Sequence, residues 1–94
     1  MNVKNLLEAT ADFNPNYQCF YCEQKKNLPI SNIHFDKKED SLYLISLHSN
    51  ALKLNELKVV CKPLPAHTKI FVKTSTGKYP IFGFKINGLK LEFA

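Results

Sequence analysis

Apolar residues recur along this chain with two periods, and the change from one to the other predicts its elements. Val3, Leu6, Leu7 and Thr10–Ala11 fall at helical spacing, with Lys4, Glu8 and Asp12 between them. This predicts a short amphipathic helix over residues 3–12, stopped by Pro15. Residues 17–23 are aromatic and suit a strand; Pro29 to Phe35 suits a second, with Ile30, Ile33 and Phe35 apolar. Leu42 to Leu47 is continuously apolar, as a central strand would be. A second helix is predicted over residues 55–62, capped by Asn55 and ended by Pro63 and Pro65. Lys69 to Lys73 and Tyr79 to Ile86 then read as strands, with Pro80 at an edge or strand start. Asn87-Gly88 is the strongest local signal. Both residues tolerate positive φ, so strands 81–86 and 89–93 should pair antiparallel across a type I′ turn.

The predicted order is α-β-β-β-α-β-β-β, and its halves echo one another. Leu54-Asn55-Glu56-Leu57, Leu64-Pro65, Lys69 to Val72, Pro80-Ile81 and Leu89-Lys90-Leu91 follow the order of Val3 to Leu7, Phe13-Asn14-Pro15, Cys19 to Cys22, Pro29-Ile30 and Leu42 to Leu44. The expected fold is therefore α+β: one domain over residues 1–94, made of two tandem α-β-β-β units (1–47 and 52–94). Each carries an antiparallel β-meander, and a pseudo-two-fold relates them. Short meanders cannot bury a face alone, so each must pack on a helix or on the other unit.

Val3-Lys4-Asn5-Leu6-Leu7, then Phe13-Asn14-Pro15-Asn16, then an aromatic strand resembles a loose group of small bacterial and phage proteins. These open with a helix, a proline turn and a β-meander. Leu54-Asn55-Glu56-Leu57 followed by Leu64-Pro65-Ala66-His67-Thr68 is similar again. The resemblance implies an α+β domain from a phage or mobile element, and it carries over no catalytic residue. Cys19 and Cys22 are not part of the pattern.

Charge sharpens the picture. Residues 1–50 hold five Lys against six acids, whereas residues 51–94 hold eight Lys against two. The basic second half (Lys53, Lys58, Lys62, Lys69, Lys73, Lys78, Lys85, Lys90) would attract nucleic acid or an acidic protein surface. All thirteen basic residues are Lys. Without Arg there is no bidentate fork for guanine or phosphate, and no arginine finger; lysine contacts phosphate as a point charge. A lysine-rich solvated face, or an AT-rich genome, would give the same composition. No apolar run approaches the ~20 residues that cross a bilayer. No signal peptide is expected, because Asn2, Lys4, Asn5, Glu8 and Asp12 interrupt the start, and three cysteines suit free thiols in a reducing compartment, so the expected site is cytoplasmic.

Cys19-Phe20-Tyr21-Cys22 is the one motif-like element. Cys-x2-Cys can open a zinc site, with Cys61, His34, His48 and His67 as further candidates. Their spacings fit no finger, and residues three apart on a strand face opposite ways. A redox pair would need the first thiol at a helix N-terminus. A Cys61–His67 dyad across the proline turn competes with a buried thiol and an exposed imidazole. Neither a Ser-His-Asp order nor a Gly-rich phosphate loop occurs. Tyr79, Phe82 and Phe84 beside Lys73, Lys78 and Lys85 form the best candidate for base stacking on a sheet, with Phe82 and Phe84 on one face. The plainer reading makes that face core.

The favoured expectation is a non-enzymatic binding module that occupies a surface of a larger host macromolecule, either a protein or a protein–nucleic acid complex. A phage-type, anti-CRISPR-like inhibitor of a bacterial defence nuclease is one specific version. Lys69, Lys73, Lys78, Lys85 and Lys90 would form its basic face, and Tyr79, Phe82 and Phe84 its aromatic contacts. No cofactor, metal or membrane is expected, and exposed strand edges leave a homodimer open. The alternative is a lysine-rich, non-specific RNA- or DNA-binding protein.

Overall fold

The computed structural model describes residues 1–47 and 50–94. The fold is mixed α+β: the described residues form two short helices and seven strands in one curled sheet. Helix α1 spans Val3–Ala9 and α2 spans Leu54–Cys61; the strands are β1 (Gln18–Glu23), β2 (Lys26–Asp36), β3 (Ser41–Ser46), β4 (Lys69–Thr74), β5 (Gly77–Pro80), β6 (Phe84–Asn87) and β7 (Lys90–Phe93).

Both helices are started by tertiary contacts. In α1, Asn2 and Asn5 exchange side-chain and backbone bonds, while the Val3 and Lys4 N–H groups donate to Thr68 and Ala66. In α2, Leu54 and Asn55 donate to Tyr17 and Pro15, and Lys53 N–H donates to the Glu56 carboxylate. The N-cap is therefore Lys53, not Asn55. The loop before β1 already takes the first orphan donors, so an Asn side chain has none to satisfy. Helix α1 stops at Ala9 rather than continuing to residue 12. Thr10 is buried and its hydroxyl donates to the Leu6 carbonyl at 2.7 Å. Such local bonding competes with helix continuation, and the chain then turns to set Phe13 against Tyr17 and Phe84.

The strands run in the order β5-β4-β3-β2-β1-β7-β6. Hairpins β1–β2, β2–β3, β4–β5 and β6–β7 are antiparallel, as the meander reading expects. The joins β3–β4 and β1–β7 are parallel, which that reading did not include. Each parallel join is reached by a helical crossover or a return across the fold, as parallel pairing requires. Strand β2 pairs with β1 through Lys26–Pro29 and with β3 through Ile30–Asp36, with a register shift between Ile30 and Asn32. It thus bends from one half of the sheet into the other.

Residues 79–86 do not form one strand. The chain leaves β5 at Pro80 and enters β6 at Phe84, at opposite ends of the strand order. Ile81 is 1 % exposed and plugs the core, whereas Phe82 is 86 % exposed. The N–H groups of Phe82 and Gly83 both donate to Ala94. This corner breaks the two-residue alternation, so Phe82 and Phe84 do not share a face. The β6–β7 turn is also one residue later than expected: Asn87 pairs with Lys90, and Gly88 alone of the loop has positive φ (61°). Glycine at the first loop position suits a type II′ turn.

The interior is a single cluster built from both helices and the inward sides of the strands, including Leu6, Ile30, Leu44, Leu57, Val72 and Phe93. Among the described residues, no helix is long and apolar enough to cross a membrane. The corner gives a sharp contrast in stability. Ile81→Ala should cost about 2–5 kcal/mol through the cavity it leaves. Phe82→Ala, one residue on, should change stability by less than about 0.5 kcal/mol. Urea unfolding midpoints of the two variants check this; equal losses would mean that the corner is packed differently.

Candidate functional site: the outer face of β3 to β5

Alternation along the strands sorts the second half of the chain. On β4, Ile70 and Val72 point into the core while Lys69, Phe71 and Lys73 point out. On β3, Leu42 and Leu44 point in, so Tyr43 points out. Register then aligns His34, Tyr43, Phe71 and Pro80 in one row across four strands, and Ile45, Lys73 and Lys78 in the next.

The rings stack: His34 on Tyr43 at 6.5 Å and Tyr43 on Phe71 at 5.9 Å. The Lys73 ammonium stands 4.1 Å from the Tyr43 ring centre, and Lys78 stands 5.4 Å from Tyr43 and 5.0 Å from Phe71. Under this cover Tyr43 is only 2 % exposed although it faces away from the core. Its hydroxyl donates to Glu39 at 3.1 Å and accepts from Lys78 at 3.5 Å. Lys78 and Glu39 themselves lie 4.0 Å apart. Each exposed cation–π contact is worth roughly 0.5–1 kcal/mol, enough to orient a lysine without binding it tightly. The lysines are therefore positioned over a rigid aromatic base with their charge toward solvent.

Two hollows flank this face. One, of about 220 Å³, lies beside Lys73, Thr74 and Ile45. The other, of about 420 Å³, lies beside Lys69, Phe71, Pro80 and His67. His67 is itself paired with Asp40 at 2.6 Å.

The five lysines read from sequence as one basic face are divided. Lys69, Lys73 and Lys78 share the β3–β5 face. Lys85 and Lys90 lie on β6 and β7, on the other half of the sheet. There Lys85 lies 3.7 Å from the buried Glu92 carboxylate, and Lys90 stands over Phe20 at 5.2 Å. Glu92 also accepts from Asn27 at 2.7 Å and Asn87 at 3.4 Å, so that half is internally balanced. Of the three aromatics, Tyr79 turns inward and stacks on Tyr21 at 6.4 Å. Phe84 packs edge-on against Phe13 and Phe93. Only Phe82 is open. Lys58 donates to the Thr10 carbonyl, joining α2 to the end of α1. Tyr43 was missed as a site residue because it lies within an unbroken apolar run; the signal was the alternation of Leu42 and Leu44 around it.

The three thiols do not gather at one place: Cys19 and Cys61 share the core, and Cys22 stands apart from them. Cys19 and Cys61 are buried and Cys22 is half-buried on the other side of β1. Of the further candidate zinc ligands, His34 lies in the outer aromatic row, His67 turns to Asp40, and His48 lies outside the described residues. Burial pushes both the Cys19 and Cys61 thiols up to about 12. Compared with protein-family models, with curated proteins and with solved structures, the chain matches none.

The thiolate is the reactive form, so at pH 8 one thiol, Cys22, should react quickly with an aromatic disulfide reagent, and all three only after unfolding. Three fast thiols in the native protein would contradict the burial. Unfolded thiols ionise near 9 and the buried pair near 12. The folded state thus holds its protons longer, and stability should fall as pH rises through that window. The Cys19→Ala, Cys61→Ala double variant should flatten this fall in urea titrations.

Proposed function

We propose that this protein is a non-enzymatic binding module that docks the outer face of β3 to β5 on an acidic surface of a larger macromolecule. The observation that carries the reading is the pair of lysines held over Tyr43 and Phe71, with Lys69 farther along β4. A protein surface fits better than bases, because the lysines roof the Tyr43 ring and leave little of it for stacking. Its specific form is occlusion, as by a phage-type inhibitor that covers a nucleic-acid-handling site on a bacterial defence nuclease. The second reading is direct binding of single-stranded nucleic acid. It is favoured by the alternation of Lys69, Phe71 and Lys73, outward groups that repeat every ~6.6–7 Å along the strand with a ring between two charges.

We infer further that the scaffold is two tandem α-β-β-β units related by a pseudo-two-fold. Recurrence of the pairings supports this. Phe20 faces Pro29 as Phe71 faces Pro80. Gln18 pairs in parallel with Lys90 as Lys69 does with Ser41. The bridge between Asn2 and Lys69 has its counterpart between Lys53 and Gln18. On this reading Tyr43 corresponds to Glu92, and Lys78 to Asn27: each half has one central outward group met by a donor from the neighbouring hairpin. The halves have diverged at that centre. One buries a balanced carboxylate and the other raises cations over a ring, a difference that supports the β3–β5 face as the one for an anionic partner.

The test is a pull-down from host lysate with wild-type protein and the Lys73→Glu, Lys78→Glu variant, each with and without nuclease. The proposal expects a discrete protein partner that survives nuclease and is reduced at least tenfold by the variant. Lys62→Glu, at an exposed position just past the end of α2, should leave capture unchanged. Recovery of nucleic acid, with partners lost on nuclease treatment, would put the second reading first. Capture that ignores the variant would remove this face from the account.

A further inference from the structure

We propose that β6 is a dimerisation edge, pairing antiparallel with β6 of a second copy about a two-fold axis at Ile86. Strand β6 ends the strand order, with β7 on one side only. Gly83 and Ala94 exchange both backbone bonds, at 3.1 and 3.0 Å. The antiparallel ladder alternates from there, so Lys85 and Asn87 bond to β7 while Phe84 and Ile86 turn their N–H and C=O groups outward.

An open edge invites pairing unless it is blunted. At the other end of the strand order β5 is blunted by Pro80. Strand β6 has no proline, and exposed apolar side chains surround it. Ile86 is 46 % exposed, Leu89 closes its turn, and Phe82 precedes it. A self-complementary register follows from hydrogen-bond parity. The axis must pass through a residue rather than between two, and Ile86 is the central choice whose side chain is apolar. Ile86 then exchanges both bonds with Ile86 of the other copy and brings the two side chains together. Lys85 falls opposite Asn87, and Phe84 opposite Gly88. Centring on Lys85 would also satisfy the ladder, through Phe84 and Ile86, but it sets the Lys85 charge directly against its own copy. Parity confines the axis to a residue and charge moves it from Lys85 to Ile86, where exposed apolar side chains meet their own copies; this selects a second copy as the occupant. The dimer leaves the β3–β5 face uncovered and doubles it.

Sedimentation equilibrium over a range of protein concentrations tests the proposal. Wild type should self-associate to a dimer. Ile86→Lys, which sets two charges on the axis, should weaken the dimer at least tenfold. Ile86→Pro should do the same, because it removes a donor that the monomer ladder does not use. Circular dichroism reports whether each variant folds, and Ile86→Lys stands alone if the proline variant does not. The Ile86 amide should also become protected from hydrogen exchange as concentration rises. A protein that stays monomeric at every concentration would overturn the proposal and leave the edge to a strand of another protein. So would a dimer that is indifferent to Ile86→Lys.

Discussion

The parallel pairing of β3 with β4 organises the half of this molecule that carries the candidate site. It lays Tyr43 beside Phe71 and sets Lys73 next to Ile45, so residues nearly thirty positions apart become one surface. Parallel strands need a crossover, and α2 supplies it, burying Leu54, Leu57 and Cys61 on the way. The second parallel pair, β1 with β7, carries the sheet round its other half. With both in place the chain must pass from β5 to β6 through Ile81–Gly83 alone. It does so by burying Ile81 and exposing Phe82.

That geometry explains why lysines and aromatics occur together without a nucleic-acid motif in the sequence. A ring on the outer side of a sheet is poorly covered by backbone. Lysine stems cover it cheaply, because their apolar carbons lie on the ring while the ammonium stays in water. Three lysines within this small area raise the local potential, and Glu39 offsets only part of it through Tyr43 and Lys78. A partner carboxylate or phosphate would replace solvent over these ammonium groups. Such contacts are screened within about 8–10 Å at ordinary salt, so they steer and orient while buried contacts hold.

Much of the secondary structure was legible from period and punctuation. The helix starts near Val3 and Leu54, the strands around Cys19, Ile30, Leu42, Ile70 and Leu91, and the turn at Gly88 all follow from local chemistry. What was not legible depends on distant partners. Asn55 looked like a cap, but Tyr17 and Pro15 carbonyls had taken that task. Tyr79 to Ile86 alternates well enough for one strand, and only the demand to reach the far edge of the sheet breaks it. The candidate site was half legible: Lys69, Lys73 and Lys78 are together, while Lys85 and Lys90 belong to the other half and Tyr79 and Phe84 belong inside. Charge counts alone cannot separate two halves of one sheet; the pairing of Lys73 with Ile45 and Lys78 does.

The central claim is that the β3–β5 face is where an anionic partner lands. The most direct measurement is a titration of isotope-labelled protein, followed by amide chemical shifts, with poly-glutamate and separately with oligothymidylate at low salt. The account predicts that the largest shifts fall on Tyr43, Phe71, Lys73 and Lys78, that they weaken as salt rises, and that poly-glutamate is at least as effective as the oligonucleotide. Shifts centred on Lys85 and Lys90 or on α2, or none on β3 to β5 with either polyanion, would contradict it.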